Sequence, residues 1–199
     1  MSTGSAQVRH LLVVLGDQLN RDSGLFDGCD PARDRVWMCE AAAEATHVPS
    51  HRARTVLFLS AMRHCRDRLV GDGLPVRYLA LDAHDHGDIA SALAADLRAL
   101  KPRRVRVVQP GEHRVQAALE RACAEAGAPL EILDDRHFLC PLPDFDRWAD
   151  GRKELRLEGF YRWMRKRHDL LMDGDEPAGG AWNFDKHNRK PFGRQGPGS

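Results

Sequence analysis

The sequence predicts an α/β fold built on a five-stranded parallel sheet with flanking helices. Short apolar runs alternate with helix-length segments up to about residue 134, which is typical of βαβ units joined by right-handed crossovers. The first run, residues 11–15, is apolar without interruption, as expected of a strand that is buried on both faces. With 199 residues, the chain is long enough for one such domain and an extension.

The elements follow in a regular order. Strands are predicted at 10–15, 35–39, 76–81, 105–108 and 130–133, and helices at 50–70, 88–100 and 112–126. The crossover rule then favours the strand order 3-2-1-4-5, a Rossmann-like arrangement that binds ligands at the carboxyl edge of the sheet. One face of the first helix carries four apolar residues, which we expect in the core: Phe58, Met62, Cys65 and Leu69.

The composition changes after about residue 139. Residues 140–171 are predicted to form a basic helical extension, residues 172–199 a linker-like tail, and residues 1–9 a disordered leader. Aromatic residues alternate with cations over 152–168, which fits either a nucleic-acid contact or a solvated helix face whose aromatic residues pack inward. The balance of 30 basic against 29 acidic residues favours the second interpretation.

Targeting signals and cysteine pairs are not evident. No apolar run approaches the roughly 20 residues of a membrane span, and the leader does not resemble a secretory signal. The five cysteines include no CxxC pair. We therefore expect a cytoplasmic protein with free thiols and no cysteine-bound zinc or iron–sulfur site.

Polar residues follow the first two strands and form the candidate site. Gly16, Asp17 and Gln18 come directly after the first strand, and Cys39 and Glu40 end the second. If these strands are neighbours, the residues meet in one crevice together with a further acid, which is Glu44. Carboxylates and an amide suit a heterocyclic or polyhydroxylated ligand, and the turn lacks the glycines that cradle phosphates.

Three alternatives remain open for these polar residues. The Gly16 turn can simply end a strand, and the two glutamates can stabilise the start of the next helix. A magnesium ion also takes carboxylate oxygens, but no phosphate-bearing partner is evident, and no metal site is predicted.

Histidine and serine patterns indicate no catalytic group. His47 and His51 have a metal-ligand spacing, but Pro49 interrupts the turn between them. The segment 84–86, His-Asp-His, lies in a polar loop where solvated side chains are expected. The sequence shows no recognisable order of serine, histidine and aspartate typical of a hydrolase.

Several motifs recur in an order that resembles one family. They are LGDQL (15–19), MCE (38–40) with Glu44, SAMRH (60–64), PGE (110–112), GFYR (159–162), MR (164–165), LMDG (171–174), GGAWNFD (179–185) and NRKP (188–191). Together they resemble the N-terminal part of the deoxyribodipyrimidine photolyase-related proteins, which include bacterial iron–sulfur cryptochromes and (6-4) photolyases. The resemblance covers about residues 10–191.

The resemblance implies a light-harvesting role. Residues 10–139 would be the antenna domain, which binds a ribityl-lumazine at the carboxyl edge of the sheet. By resemblance, the pocket comprises Gly16, Asp17, Gln18, Cys39, Glu40 and Glu44. In the family, a following helical domain binds FAD and a [4Fe–4S] cluster, and reduced FAD repairs a DNA photoproduct by electron transfer.

The chain departs from the family because the FAD-binding helices and the cluster cysteines are not recognised in it. FAD and [4Fe–4S] are therefore not expected in this chain, and DNA would be a partner only of a complete photolyase. We expect no catalytic residue and no repair by this chain alone. The alternatives to an antenna module are a non-functional truncated remnant and one half of a split photolyase that needs a separate FAD-binding polypeptide.

Overall fold

A computed structural model describes residues 7–185, 193, 194 and 196. Most of the expected leader (residues 1–6) and the motif at 188–191 lie outside the described residues. The chain divides into two compact units, residues 1–139 and 140–199. Of the helices described, none is both long and apolar enough to cross a membrane.

The first unit contains the predicted parallel sheet. Its strands are β1 (His10–Val13), β2 (Arg35–Cys39), β3 (Val76–Leu79), β4 (Arg104–Val108) and β5 (Leu130–Leu133). They pair in the order β3-β2-β1-β4-β5. Every neighbouring pair is parallel, which confirms the predicted fold class and strand order.

Helices cover both faces of this sheet. They are α1 (Ala42–Thr46), α2 (Arg52–Gly71), α3 (Ile89–Leu100) and α4 (His113–Glu125). Leu11 and Val13 of β1 belong to one buried cluster together with Leu93 and Leu119. Leu12 belongs to the other cluster, together with residues of α2. The uninterrupted apolar run after residue 10 thus reflects a central strand with a core on each side.

Two buried carboxylates fix the sheet to its surroundings. Asp34, before β2, accepts hydrogen bonds from Arg9 Nε (2.8 Å), from Arg9 Nη2 (2.5 Å) and from the backbone N–H groups of His10 and Asp30. Asp96 of α3 accepts the indole N–H of Trp37 at 2.8 Å. Arg77 donates two further hydrogen bonds to Asp96. These contacts tie β1, β2, β3 and α3 together.

The apolar face predicted for α2 lies in the core only in part. Met62 and Leu69 are buried, whereas Phe58 is 40% exposed. The ring of Phe58 lines a cavity instead of the core. The prediction failed at this residue because a helical period cannot distinguish a residue over the sheet from one beside an open crevice.

The second unit is described by itself. Its helices are α5 (Leu142–Ala149) and α6 (Leu157–His168), followed by an antiparallel pair, β6 (Met172–Asp173) and β7 (Glu176–Pro177). The helical extension expected over residues 140–171 is interrupted after Asp150, where Gly151 adopts a φ of 68°. Prolines at 141 and 143 begin α5, because a proline at the first helical turn removes no helical hydrogen bond.

The aromatic residues of this basic unit pack on one another. Ring centroids of Trp148 and Phe160 are 5.0 Å apart, and those of Phe160 and Trp163 are 5.7 Å apart. Phe145 completes the cluster at 5.5 Å from Phe160, and the Arg152 guanidinium lies 4.6 Å from the Trp148 ring. This packing agrees with the interpretation of a helix whose aromatic residues face inward.

Candidate ligand-binding site

A cavity of about 390 Å³ lies at the carboxyl edge of the sheet in the first unit. Its walls come from the turn after β1, the end of β2, α1 and the loop after it, the first half of α2, and the turn between β4 and α4. The volume falls in the range of small-molecule sites, about 300–1,000 Å³. The position matches the rule that open parallel sheets bind ligands beyond the ends of their strands.

Five of the six candidate residues line this cavity. They are Gly16, Asp17, Cys39, Glu40 and Glu44. Gln18 lies outside the cavity wall. Its Nε2 donates to the carbonyls of Val108 (3.2 Å) and Gln109 (2.9 Å), so it ties the turn after β1 to the end of β4.

The carboxylate of Glu40 is fully occupied by the protein. It accepts hydrogen bonds from Arg63 Nε (2.7 Å) and Nη2 (2.8 Å), from the Tyr78 hydroxyl (2.5 Å) and from the Leu81 N–H (2.9 Å). Burial alone would raise the pKa of Glu40, but these donors outweigh it and lower the pKa to about 2. Glu40 is 1% exposed and therefore shapes the cavity wall, with little capacity left for a ligand.

Asp17 offers a carboxylate at the cavity wall. A Cβ atom on Gly111 would lie 3.4 Å from Asp17 Oδ2, so the carboxyl group lies next to the turn between β4 and α4. Exclusion of solvent raises the pKa of Asp17, and the carboxylates of Glu112, Asp135 and Glu44 raise it further. The group accordingly favours a partner that donates hydrogen bonds or carries positive charge.

Glu44 faces the same cavity and pairs with Arg114 of α4. Arg114 Nη1 and Nη2 donate to the two Glu44 oxygens at 3.2 and 3.0 Å. Arg114 Nε and Nη2 also donate to Glu112 at 3.2 and 3.0 Å. These bonds, those to Glu44 first, raise the pKa of Arg114. Sequence reasoning missed Arg114. It lies in the first turn of α4, the helix that follows the fourth strand, and therefore at the same edge of the sheet.

Apolar side chains of α2 form another part of the cavity lining. They are Phe58, Leu59 and Met62. The Arg54 guanidinium lies 5.5 Å from the Phe58 ring centroid. A Cβ atom at Gly16 would lie 3.1 Å from the sulfur of Met62, so glycine lets the turn after β1 approach the methionine closely.

The histidines considered in the sequence analysis lie in different environments. His84, expected in a solvated loop, is half-buried, and its Nε2 lies 2.9 Å from the Glu40 carbonyl and 3.7 Å from Cys39 Sγ. Burial raises the pKa of Cys39 to about 12, so its thiol stays protonated at neutral pH. His51 accepts the Ala53 N–H at the start of α2, whereas His47 lines the cavity. The residues described contain no cluster of three or more potential metal ligands.

Comparison with known proteins identifies the family. The sequence profile of the deoxyribodipyrimidine photo-lyase-related proteins matches residues 12–198. The chain belongs to this family. A (6-4) photolyase from Agrobacterium fabrum is 40% identical over 182 residues, which is 91% of this chain and 36% of the relative. An uncharacterised protein of Acanthamoeba polyphaga mimivirus is 47% identical over 40 residues, 20% of each chain.

The photolyase-related chain spans about a third of the length of the (6-4) photolyase that it matches. That alignment is long enough to include the whole α/β unit, whereas the shorter match to the mimivirus protein covers a fifth of the chain. The comparisons therefore establish the family of this α/β unit, and the ligand of its cavity is a separate question.

Proposed function

We propose that residues 10–139 form an antenna domain that binds a ribityl-lumazine-type chromophore in the cavity. The observation that carries this proposal is the mixed apolar and acidic lining of the cavity at the carboxyl edge of the sheet. Phe58 and Met62 provide apolar surface, and Asp17 and Glu44 provide carboxylates. A flat heterocycle with a polyol chain needs both kinds of surface.

The hydrogen-bonding character of the cavity fits this class of ligand. Ser50, Arg54 and Thr55 add donors to the cavity lining. Carboxylate acceptors are offered by Asp17 and Glu44, whereas the carboxylate of Glu40 is occupied by the protein. Ribityl hydroxyls and ring N–H groups donate to such acceptors. Asp17 and Glu44 are therefore the residues that we assign to ligand contact.

The other candidate residues act on the shape of the cavity. Gly16 brings the turn after β1 against Met62, and Gln18 holds that turn to β4. Cys39 contributes a protonated thiol at the end of β2. When bound, a chromophore of this class supplies absorption of blue light and transfer of the excitation energy to a flavin.

At the level of the whole protein, we propose a light-harvesting part of a flavin-dependent DNA repair or signalling protein. The support is the match to a protein named (6-4) photolyase. Because only about a third of that relative is covered, we assign its flavin and DNA sites to none of the residues described. FAD from a longer chain or from a separate polypeptide would then receive the excitation energy.

The proposal is tested by titrating the purified, ligand-free protein with 6,7-dimethyl-8-ribityllumazine. Binding should raise the fluorescence polarisation of the lumazine to saturation at one equivalent, and the complex should keep a visible absorption band through gel filtration. A lumazine that remains free at all protein concentrations would contradict the antenna assignment. It would favour the alternative that this chain has no antenna function.

Asp17→Ala and Glu44→Ala should each weaken lumazine binding by about 1–3 kcal/mol. Each substitution removes a carboxylate that accepts a hydrogen bond from the ligand. Glu125→Ala, an exposed acid at the end of α4, is the matched control and should leave the affinity unchanged. Isothermal titration gives the dissociation constants. Equal affinities for the two site variants and the wild type would place the ligand elsewhere.

A further inference from the structure

We infer that Arg114 is a positioning residue of this cavity, which acts through Glu44 by holding α1 against α4. The part of this inference that concerns a chromophore rests on the proposed function. The part that concerns the position of α1 does not, because it follows from the contacts of the ligand-free chain.

The segment 42–50 is a cavity wall with few anchors. α1 has five residues and none of them is buried, and every residue from 46 to 50 is exposed. One backbone hydrogen bond, from the Ala43 N–H to the Gly87 carbonyl at 3.1 Å, leads from α1 to a distant part of the chain. Among the described residues, the side-chain hydrogen bonds that leave this segment are those between Glu44 and Arg114.

Arg114 is suited to this role by its shape. Its two terminal nitrogens donate hydrogen bonds to both oxygens of Glu44. Nε and Nη2 also donate to Glu112 at the start of α4. One planar group thus joins α1 to the helix that follows β4. A lysine has a single point charge and cannot reproduce both pairs of bonds.

The same contact fixes the carboxylate that we assign to the ligand. Asp17, Glu44 and Glu112 all line the cavity. Without Arg114, the described residues of the cavity lining would keep one arginine, Arg54, against these three carboxylates, and their mutual repulsion would favour an outward displacement of α1. Arg114 balances this charge and sets the direction of the Glu44 oxygens. Departure of a ligand past α1 would then require the Glu44–Arg114 bonds to open.

The first test is hydrogen–deuterium exchange of the ligand-free protein. In Arg114→Gln, the amides of residues 42–50 should exchange about threefold to fivefold faster, the effect of losing a partly exposed ion pair. Arg114→Lys should lie between this variant and the wild type. Arg121→Gln, an exposed cation on the same helix, should match the wild type.

The second test is the dissociation rate of 6,7-dimethyl-8-ribityllumazine, measured by stopped-flow dilution. Arg114→Gln should raise this rate about threefold to fivefold. Adding Arg114→Gln to Glu44→Ala should raise it no further, because the arginine acts through that glutamate. High salt should reduce the difference between the wild type and Arg114→Gln.

The outcomes separate this inference from the proposed function. If the wild type binds no lumazine while Arg114→Gln still loosens residues 42–50 alone, the positioning role of Arg114 stands and the antenna assignment fails. If the wild type binds lumazine while Arg114→Gln changes neither exchange nor dissociation, the inference is overturned and the antenna assignment stands. Faster exchange throughout the sheet would show a general loss of stability and would also overturn the inference.

Discussion

Glu40→Ala should lower the free energy of unfolding by about 2–4 kcal/mol. The substitution removes the acceptor of four hydrogen bonds and leaves the Tyr78 hydroxyl and the Leu81 N–H without it. Unpaired buried polar groups carry a cost of about 1–3 kcal/mol each. Arg63 adds less, because 48% of its side chain is exposed and its guanidinium can turn to solvent. Urea denaturation followed by circular dichroism measures the change.

Glu44→Ala is the matched control for this prediction. It removes a carboxylate from the same cavity, but its ion pair with Arg114 is partly exposed, with 32% and 38% of the two side chains accessible. Its cost should stay at or below about 1 kcal/mol. Equal stabilities of the Glu40 and Glu44 variants would show that the buried hydrogen bonds of Glu40 contribute no more than a surface pair.

Acidification should destabilise the α/β unit through two buried carboxylates, Asp34 and Glu40. Hydrogen bonds from Arg9 and from backbone N–H groups overcome the effect of burial and lower the pKa of Asp34 to about 2, and Glu40 has a pKa of about 2. Both values lie below the ordinary pKa values of these groups in an unfolded chain. The stabilisation is therefore fully present above about pH 5 and is lost as the pH falls towards 2.

The expected loss is on the order of 2–3 kcal/mol for each carboxylate over that interval. It is measured as the free energy of unfolding between pH 7 and pH 2.5. Glu40→Gln should be less stable than the wild type at pH 7, and its stability should fall less steeply on acidification. If the free energy of unfolding of Glu40→Gln falls with pH as steeply as that of the wild type, Glu40 does not titrate in this range.

The sheet was predictable because its physical signals are local. Parallel strands buried on both faces need continuous apolar residues, and residues 11–15 have them. The strand order followed from the handedness of βαβ connections. Phe58 was misplaced, because its helical spacing is the same whether it faces the sheet or an open cavity.

The candidate site was predictable only to the level of its backbone positions. Strand ends brought Asp17, Glu40 and Glu44 to one cavity as expected. Whether a carboxylate faces a ligand or the protein depends on partners that are far apart in sequence. Glu40 meets Arg63 and Tyr78, and Glu44 meets Arg114. These pairings have no local pattern, so sequence reasoning assigned the two glutamates the same role.

Trp37 provides the α/β unit with its own optical reporter. It is the only tryptophan before residue 140, it is 1% exposed, and its indole N–H is bonded to Asp96. Emission from an indole held in this dry and rigid position should therefore differ from that of the tryptophans in the second unit. A pigment in the nearby cavity whose absorption overlaps that emission would quench it by resonance energy transfer, so occupancy can be followed without a label.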